Sequence, residues 1–395
     1  MLLICLTPAK AQTINEIINL GPGGISDVSK NGEYACGMNY PSPGFIWNES
    51  TGRVELTTSD YSEAYGVSNN GRIAGRYYDP NLPAPGGNPT MRAGFWENGN
   101  WTALPGLDGL LPLDEMSFTH AYGISADGSR IAGMQWHANW TVEAVYWENG
   151  SITGLGQTNG GNSRVNTLSA DGSVMAGWNG GQGNVPDRTA YYWDPLPHFM
   201  GGYDTTYAVG ESEGISSDGS MIVGGSAGVV FLWTQAAGMQ WVTDLSTYQG
   251  GEGLDISDDG TMVGYVDPGG FNYQAFIKKP GWPDIVYLSA FINDSLGITG
   301  YSDWYFAFGQ AISADGNTVG ISAYDPSGQP TALLLKINEP VPVELVSFTA
   351  SAGNSSVSLN WSTATETNNS GFEIQRKNGT SVWTSAGFIA GNGTA

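Results

Sequence analysis

The chain has 395 residues, with 58 Gly, 14 Trp, 19 Tyr and 13 Phe, and only 13% of it is charged. Its 14 basic residues stand against 37 acidic ones, a formal net charge of -23, which argues against nucleic acid and anionic membrane surfaces as partners. No apolar run approaches the ~18 residues of a membrane span, and the Gly and aromatic content points to short strands and tight turns rather than helices.

The first eleven residues, MLLICLTPAKA, read as the remnant of a secretory signal, with an apolar core from Leu2 to Leu6 and an Ala9-Lys10-Ala11 site before Gln12. Ile4 stands where a lipidation site before Cys5 would need a small residue, so lipid attachment is disfavoured. Loss of Cys5 with the signal leaves only Cys36 and no internal disulfide.

From residue 12 onward one phrase recurs seven times: an apolar residue, Ser, any residue, Asp or Asn, then Gly. The copies end at Gly32, Gly71, Gly128, Gly172, Gly219, Gly260 and Gly316, spaced 39 to 57 residues apart. A period of this size marks a repeat architecture. Ser-x-Asp-Gly is the sequence of a type I turn closed by a left-handed Gly, so each copy predicts a β-hairpin. The returning strands place Cys36, Ala74, Ala132, Ala176, Val223, Val263 and Val319 at one repeat position, which implies a crowded layer. Cys36 therefore reads as a buried thiol rather than a nucleophile.

A further strand ending in Trp follows in most copies: FIW (45–47), GFW (94–96), VYW (145–147), YYW (191–193) and FLW (231–233). Packing between neighbouring sheets explains this Trp position better than a ligand-stacking ladder. Each repeat is then a four-stranded meander, and seven of them predict a seven-bladed β-propeller over 12–339. Repeat seven supplies only three strands before Pro340. The missing fourth is expected from INEIINLG (14–21), which would close the ring.

These residues resemble the HAF family of extracellular repeats, which combines an Ala-Phe-x-Trp-like strand, a Leu-Gly strand and the Ile-Ser-x-Asp-Gly hairpin. The resemblance covers about residues 14–337 and carries over no catalytic residue. Residues 342–377 are similar to fibronectin-type-III-like modules of secreted Bacteroidetes proteins, which often precede a sorting signal for the type IX secretion route. Such a sandwich takes ~90–100 residues. The expectation for 340–395 is thus a truncated fibronectin-III-like domain with an exposed edge.

In a meander propeller the repeat turns lie on one face and the variable loops on the other, and function usually sits with the loops. Exposed aromatics beside carboxylates suit sugars, which present apolar faces and hydroxyls. On that basis the candidate ligand-binding residues are Tyr78, Asp79, Trp136, His137, Trp140, Trp304 and Tyr305. The alternative is that these aromatics cover sheet ends and the acidic residues start turns. The three His show no metal-ligand spacing, and no nucleophile elbow or phosphate loop is present. No cofactor is implied, although an acidic surface can gather calcium.

The leading expectation is a secreted or cell-surface binding or adhesion protein, monomeric, presenting the loop face to an extracellular glycan or protein. The alternatives are a polysaccharide-active enzyme, glycosidase or lyase, with carboxylates in the central pocket, and a passive spacer or display module.

Overall fold

The computed structural model describes residues 2–8, 15–39, 43–56, 61–83, 89–107, 119–137, 141–156, 161–180, 188–203, 209–337, 344–354, 356–365, 369–378 and 383–393. Two compact units emerge, Glu16–Lys336 and a second made of Met1–Asn15 with Ile337–Ala395.

The larger unit is a seven-bladed β-propeller. Blade one runs Gly24–Val28, Tyr34–Met38, Gly44–Asn48 and Gly52–Glu55, each strand antiparallel to the next. Blade two follows with Ser62–Val67, Ile73–Pro83, Pro89–Glu97 and Asn100–Ala103, and blade three with His120–Ile124, Arg130–Trp136, Val142–Glu148 and Ser151–Gly154. Blade four uses Ser163–Leu168, Met175–Asn179, Thr189–Trp193 and Pro197–Phe199; blade five uses Gly210–Ile215, Met221–Ser226, Val229–Thr234 and Gly238–Trp241. Blade six uses Gly250–Ile256, Met262–Asp267, Gln274–Lys278 and Val286–Tyr287. Blade seven takes Tyr305–Ile312, Thr318–Tyr324 and Pro330–Lys336, and its outer strand is Glu16–Pro22 from the N-terminal end. The expected closing strand is therefore in place.

The repeat phrase forms its turn through local chemistry. All seven terminal glycines have positive φ, between 70° and 88°, a region that other residues enter at a steric cost. In every copy the Ser hydroxyl donates to the Asp or Asn side chain two residues on, at 2.5 to 2.8 Å. Its Ser carbonyl accepts from the Gly N–H. Ser and Asp are thus occupied in holding the hairpin.

The turns also join one another. The N–H of the variable residue donates to its counterpart's carbonyl in the next blade at 2.8 Å, for Asn69 to Ala126, Ala126 to Ala170, Ala170 to Ser217, Asp258 to Ala314 and Ala314 to Lys30. Side chains make the other two links: Ser217 N–H to Asp258 Oδ1 at 2.7 Å and Asn31 N–H to Asn69 Oδ1 at 3.0 Å. The seven links close a belt around the floor of the propeller.

Between blades, small residues of one sheet meet large residues of the next. Ala132 and Ala144 pack with Tyr191 and Trp193, and Ala74 and Ala93 with Trp147. Cys36 meets Ala64 and Ile73 in the same way and is fully buried. Burial first, then the charge of Asp27, pushes its thiol pKa up, so it is an inert core group. The strand-ending Trp side chains mostly serve this packing: Trp47, Trp147, Trp193 and Trp233 are all buried, while Trp96 is half-buried.

The second unit has two small sheets. Glu344–Ala352 pairs with Val357–Thr365. Asn369–Asn378 pairs with Thr384–Gly393 on one side and with Leu2–Pro8, the signal-like segment, on the other. The Trp361 and Phe372 rings meet 5.6 Å apart. Phe372 is buried, whereas Val346, Val357, Phe388 and Ile389 are exposed.

Candidate functional site

The seven innermost strands converge on a central channel. Each carries an extra, bulged residue: Ser26, Tyr65, Tyr122, Asn166, Glu213, Leu254 and Gln310. All seven line a cavity of about 450 Å3, within the range of small-molecule sites, about 300–1,000 Å3. The bulge lies where neighbouring strands approach most closely. A Cβ on Gly214, for instance, would come within 2.3 Å of Asp255 Cα.

Two residues earlier on each strand, the same face carries Gly24, Glu63, His120, Arg164, Glu211, Glu252 and Phe308. These form an upper tier nearer the loop face, in which polar clusters join blade two to blade three and blade four to blade five. Glu63 accepts from Tyr61 at 2.6 Å, from Tyr65, and from Arg76 through Nη2 at 2.8 Å. Burial opposes its ionisation, but the hydrogen bonds from Arg76, Tyr61 and Tyr65 outweigh it and hold the carboxyl below its usual range. Arg76 Nη1 lies 2.7 Å from His120 Nε2, and His120 Nδ1 lies 2.7 Å from the Tyr122 hydroxyl.

Across the channel, Glu211 is clamped by Arg188 and, at 2.5 Å, by Arg164. Burial again opposes ionisation, but the Arg188 hydrogen bond and the two guanidinium charges keep Glu211 low. Glu213 behaves oppositely: burial first, then the charge of neighbouring Glu211, raises its pKa well above the usual value. Glu252 is pushed up to about 6, by burial and then by Glu211. Three neighbouring carboxyls on blades five and six thus differ: Glu211 is held low, Glu213 is raised, and Glu252 is pushed up to about 6.

The adjoining flank, on blades six and seven, is aromatic, with Tyr265 beside Glu252 in the sheet. Tyr265, Tyr273 and Phe308 form a cluster with ring centroids 5.1 to 5.6 Å apart, and Tyr324 lines the cavity. In the upper tier, blade one contributes only Gly24, and the cavity is lined there by Gly23, Met38, Tyr324 and Pro330. At the floor, Lys30 of blade one reaches across the channel. Its Nζ donates to the Ile215 carbonyl of blade five at 2.7 Å and lies 3.8 Å from Asp255 of blade six.

The candidates read from the sequence lie on blades two and three and at blade seven. Tyr78 meets the Tyr61 ring at 5.2 Å, and Asp79 is buried in an ion pair with Arg92 at 3.0 Å. His137 Nε2 contacts Glu143 at 2.9 Å, beside half-buried Trp136. Trp304 packs on Tyr301. Tyr305 reaches the aromatic flank, donating to the Tyr273 carbonyl and meeting the Tyr324 ring at 5.8 Å. None of these six lines the channel, and Trp140 lies outside the described residues. The channel residues were missed because their signal is columnar: they stand three and five places before each repeat Ser, on strands far apart in sequence.

Among the described residues no group of three or more His, Cys, Asp or Glu side chains is disposed to hold a metal ion. No helix among them is long and apolar enough to cross a membrane.

No protein-family model matches the chain, and no curated protein matches it. Among solved structures it is similar to an oligogalacturonate lyase from Vibrio parahaemolyticus, at 12% identity and a TM-score of 0.50, over 85% of this chain and 98% of that one. It is also similar to TolB from Acinetobacter baumannii, at 12% identity and a TM-score of 0.39, over 81% of this chain and 65% of that one. The first likeness supports the propeller fold; at that identity it carries no chemistry to this chain.

Proposed function

We propose that the protein is a secreted or cell-surface binding propeller whose ligand is a saccharide seated at the mouth of the central channel. The observation that supports this is the channel lining, which sets an aromatic side, Tyr324 and Phe308 backed by Tyr265 and Tyr273, beside a hydrogen-bonding side of Arg164, Asn166 and Glu213. A sugar ring has an apolar face for the first and hydroxyls for the second. The HAF-like repeats and the signal-like N-terminus motivate an extracellular setting, and the second unit fits a fibronectin-III-like accessory module. Calorimetry against a panel of neutral and uronic-acid oligosaccharides tests the reading. Binding that Phe308→Ala and Arg164→Ala each weaken at least tenfold supports it, and absence of binding across the panel overturns it.

A second reading, an enzyme acting on polysaccharide, is favoured by one observation: Glu211 and Glu213 stand two residues apart on one channel strand, with their pKa values pushed in opposite directions. Release of shortened products from the same panel would favour the enzyme.

A further inference from the structure

The channel is narrowed at its floor. At the floor, the seven-link turn belt draws the blades together, and Lys30 spans the remaining opening from blade one to the Ile215 carbonyl. Toward the loop face, charged side chains join blade two to blade three and blade four to blade five, whereas blade one brings only Gly24, which lines the cavity without a side chain. The bulged residues, among them Tyr122, Asn166, Glu213 and Gln310, lie a tier deeper.

We propose that this well takes the end of a glycan chain: the terminal unit descends beside Gly24 and meets the deeper tier, while the rest of the chain stays outside. The inference rests on the saccharide reading above and narrows it to chain ends and short oligosaccharides. A polymer lying across the mouth can touch the upper tier only. To reach Asn166 or Gln310, a sugar must enter the well, and a well narrowed at its floor admits a chain only by its end. The volume agrees, since about 450 Å3 suits a small ligand rather than a long polymer segment.

Gly24 supplies the test. Its φ is not in the left-handed region, and a Cβ there would come within 3.0 Å of the Ser322 hydroxyl, on the cavity lining and away from the charged network. Gly24→Leu is therefore expected to obstruct the well. The probes are gluco-, manno-, xylo- and uronic-acid oligosaccharides of two to six units, together with the parent polymer of any that bind, before and after shearing. End-on binding predicts at least a tenfold loss of oligosaccharide affinity in Gly24→Leu. It also predicts that polymer binding by the unaltered protein rises with the number of chain ends rather than with polymer mass. The second measurement needs no variant and stands even if Gly24→Leu fails to fold. Polymer binding that follows mass, or a folded Gly24→Leu that binds as well as the parent, overturns end-on entry and leaves the saccharide reading intact. Failure of every probe to bind overturns that reading and this inference with it.

Discussion

Arg76 Nη1 and His120 Nε2 lie 2.7 Å apart, a contact that joins blade two to blade three at the channel mouth. A guanidinium can only donate, so Nε2 must accept and the imidazole proton resides on Nδ1, facing the Tyr122 hydroxyl. Burial and then the Arg76 charge drive the His120 pKa down to about 3. Nitrogen NMR should therefore show one His that stays neutral, as the Nδ1–H tautomer, from pH 5 to pH 8, with its signal absent in His120→Gln. Titration of that signal near 6.5 would contradict the arrangement.

Glu211 and Glu213 should respond differently to loss of charge. Glu211→Ala removes the carboxylate that both Arg164 and Arg188 bond, which should cost about 3 kcal/mol. Burial and the Glu211 charge favour the neutral form of Glu213, which Gln imitates, so Glu213→Gln should cost under about 1 kcal/mol. Urea midpoints at pH 7 compare the two; equal losses would refute the assignment of protons.

Stability should peak at mildly acidic pH. Asp27 is pushed up to about 7 by burial and then by Asp255, and Glu252 to about 6. A carboxyl whose pKa is raised on folding holds its proton better in the folded chain, so its contribution is complete below the unfolded pKa and fades as pH rises through the folded one. Stability should therefore fall between about pH 4 and pH 7. For Asp27 the change is at most about 4 kcal/mol, and its partial access to channel water reduces it. The lowered carboxyls, Glu63 and Glu211, act in the other direction and destabilise the fold as pH drops below about 4. Asp27→Asn should flatten the alkaline limb of a plot of melting temperature against pH; an unchanged limb would remove Asp27 as its source.

The closing strand should be indispensable. Leu20 is buried among Ala332, Leu334 and Phe45, between blades seven and one. Leu20→Ala should cost about 2–4 kcal/mol. Calorimetry should show one transition of the propeller shifted down by several degrees. A shift no larger than that of an exposed site such as Leu196→Ala would mean that the ring holds without this strand.

The hairpins and the closing strand were legible because their causes are local. Ser29 or Ser169, its Asp or Asn two places on, and the left-handed Gly make their bonds within a few residues, so the turn is written where it forms. The INLG run could be matched to its missing partner because outer strands resemble one another. The channel was not legible in this way. Glu63, Arg164 and Glu211 look like ordinary surface charges in the sequence, and only the inward face of the bulged strands brings them together. Trp136 and His137 drew notice through their local density of rings, but the fold commits His137 to Glu143 in its own blade.

The belt of turns has a consequence for ancestry. Each of its seven links finds a partner because the last turn meets the first. Duplicating or deleting one unit would change the angle between every pair of neighbours and leave Lys30 stretched over an opening of the wrong width. Individual blades are free to diverge, as Gly24, Glu63 and Phe308 have done at one equivalent position. The number of blades is not, because the hoop tolerates worn staves but not an extra one.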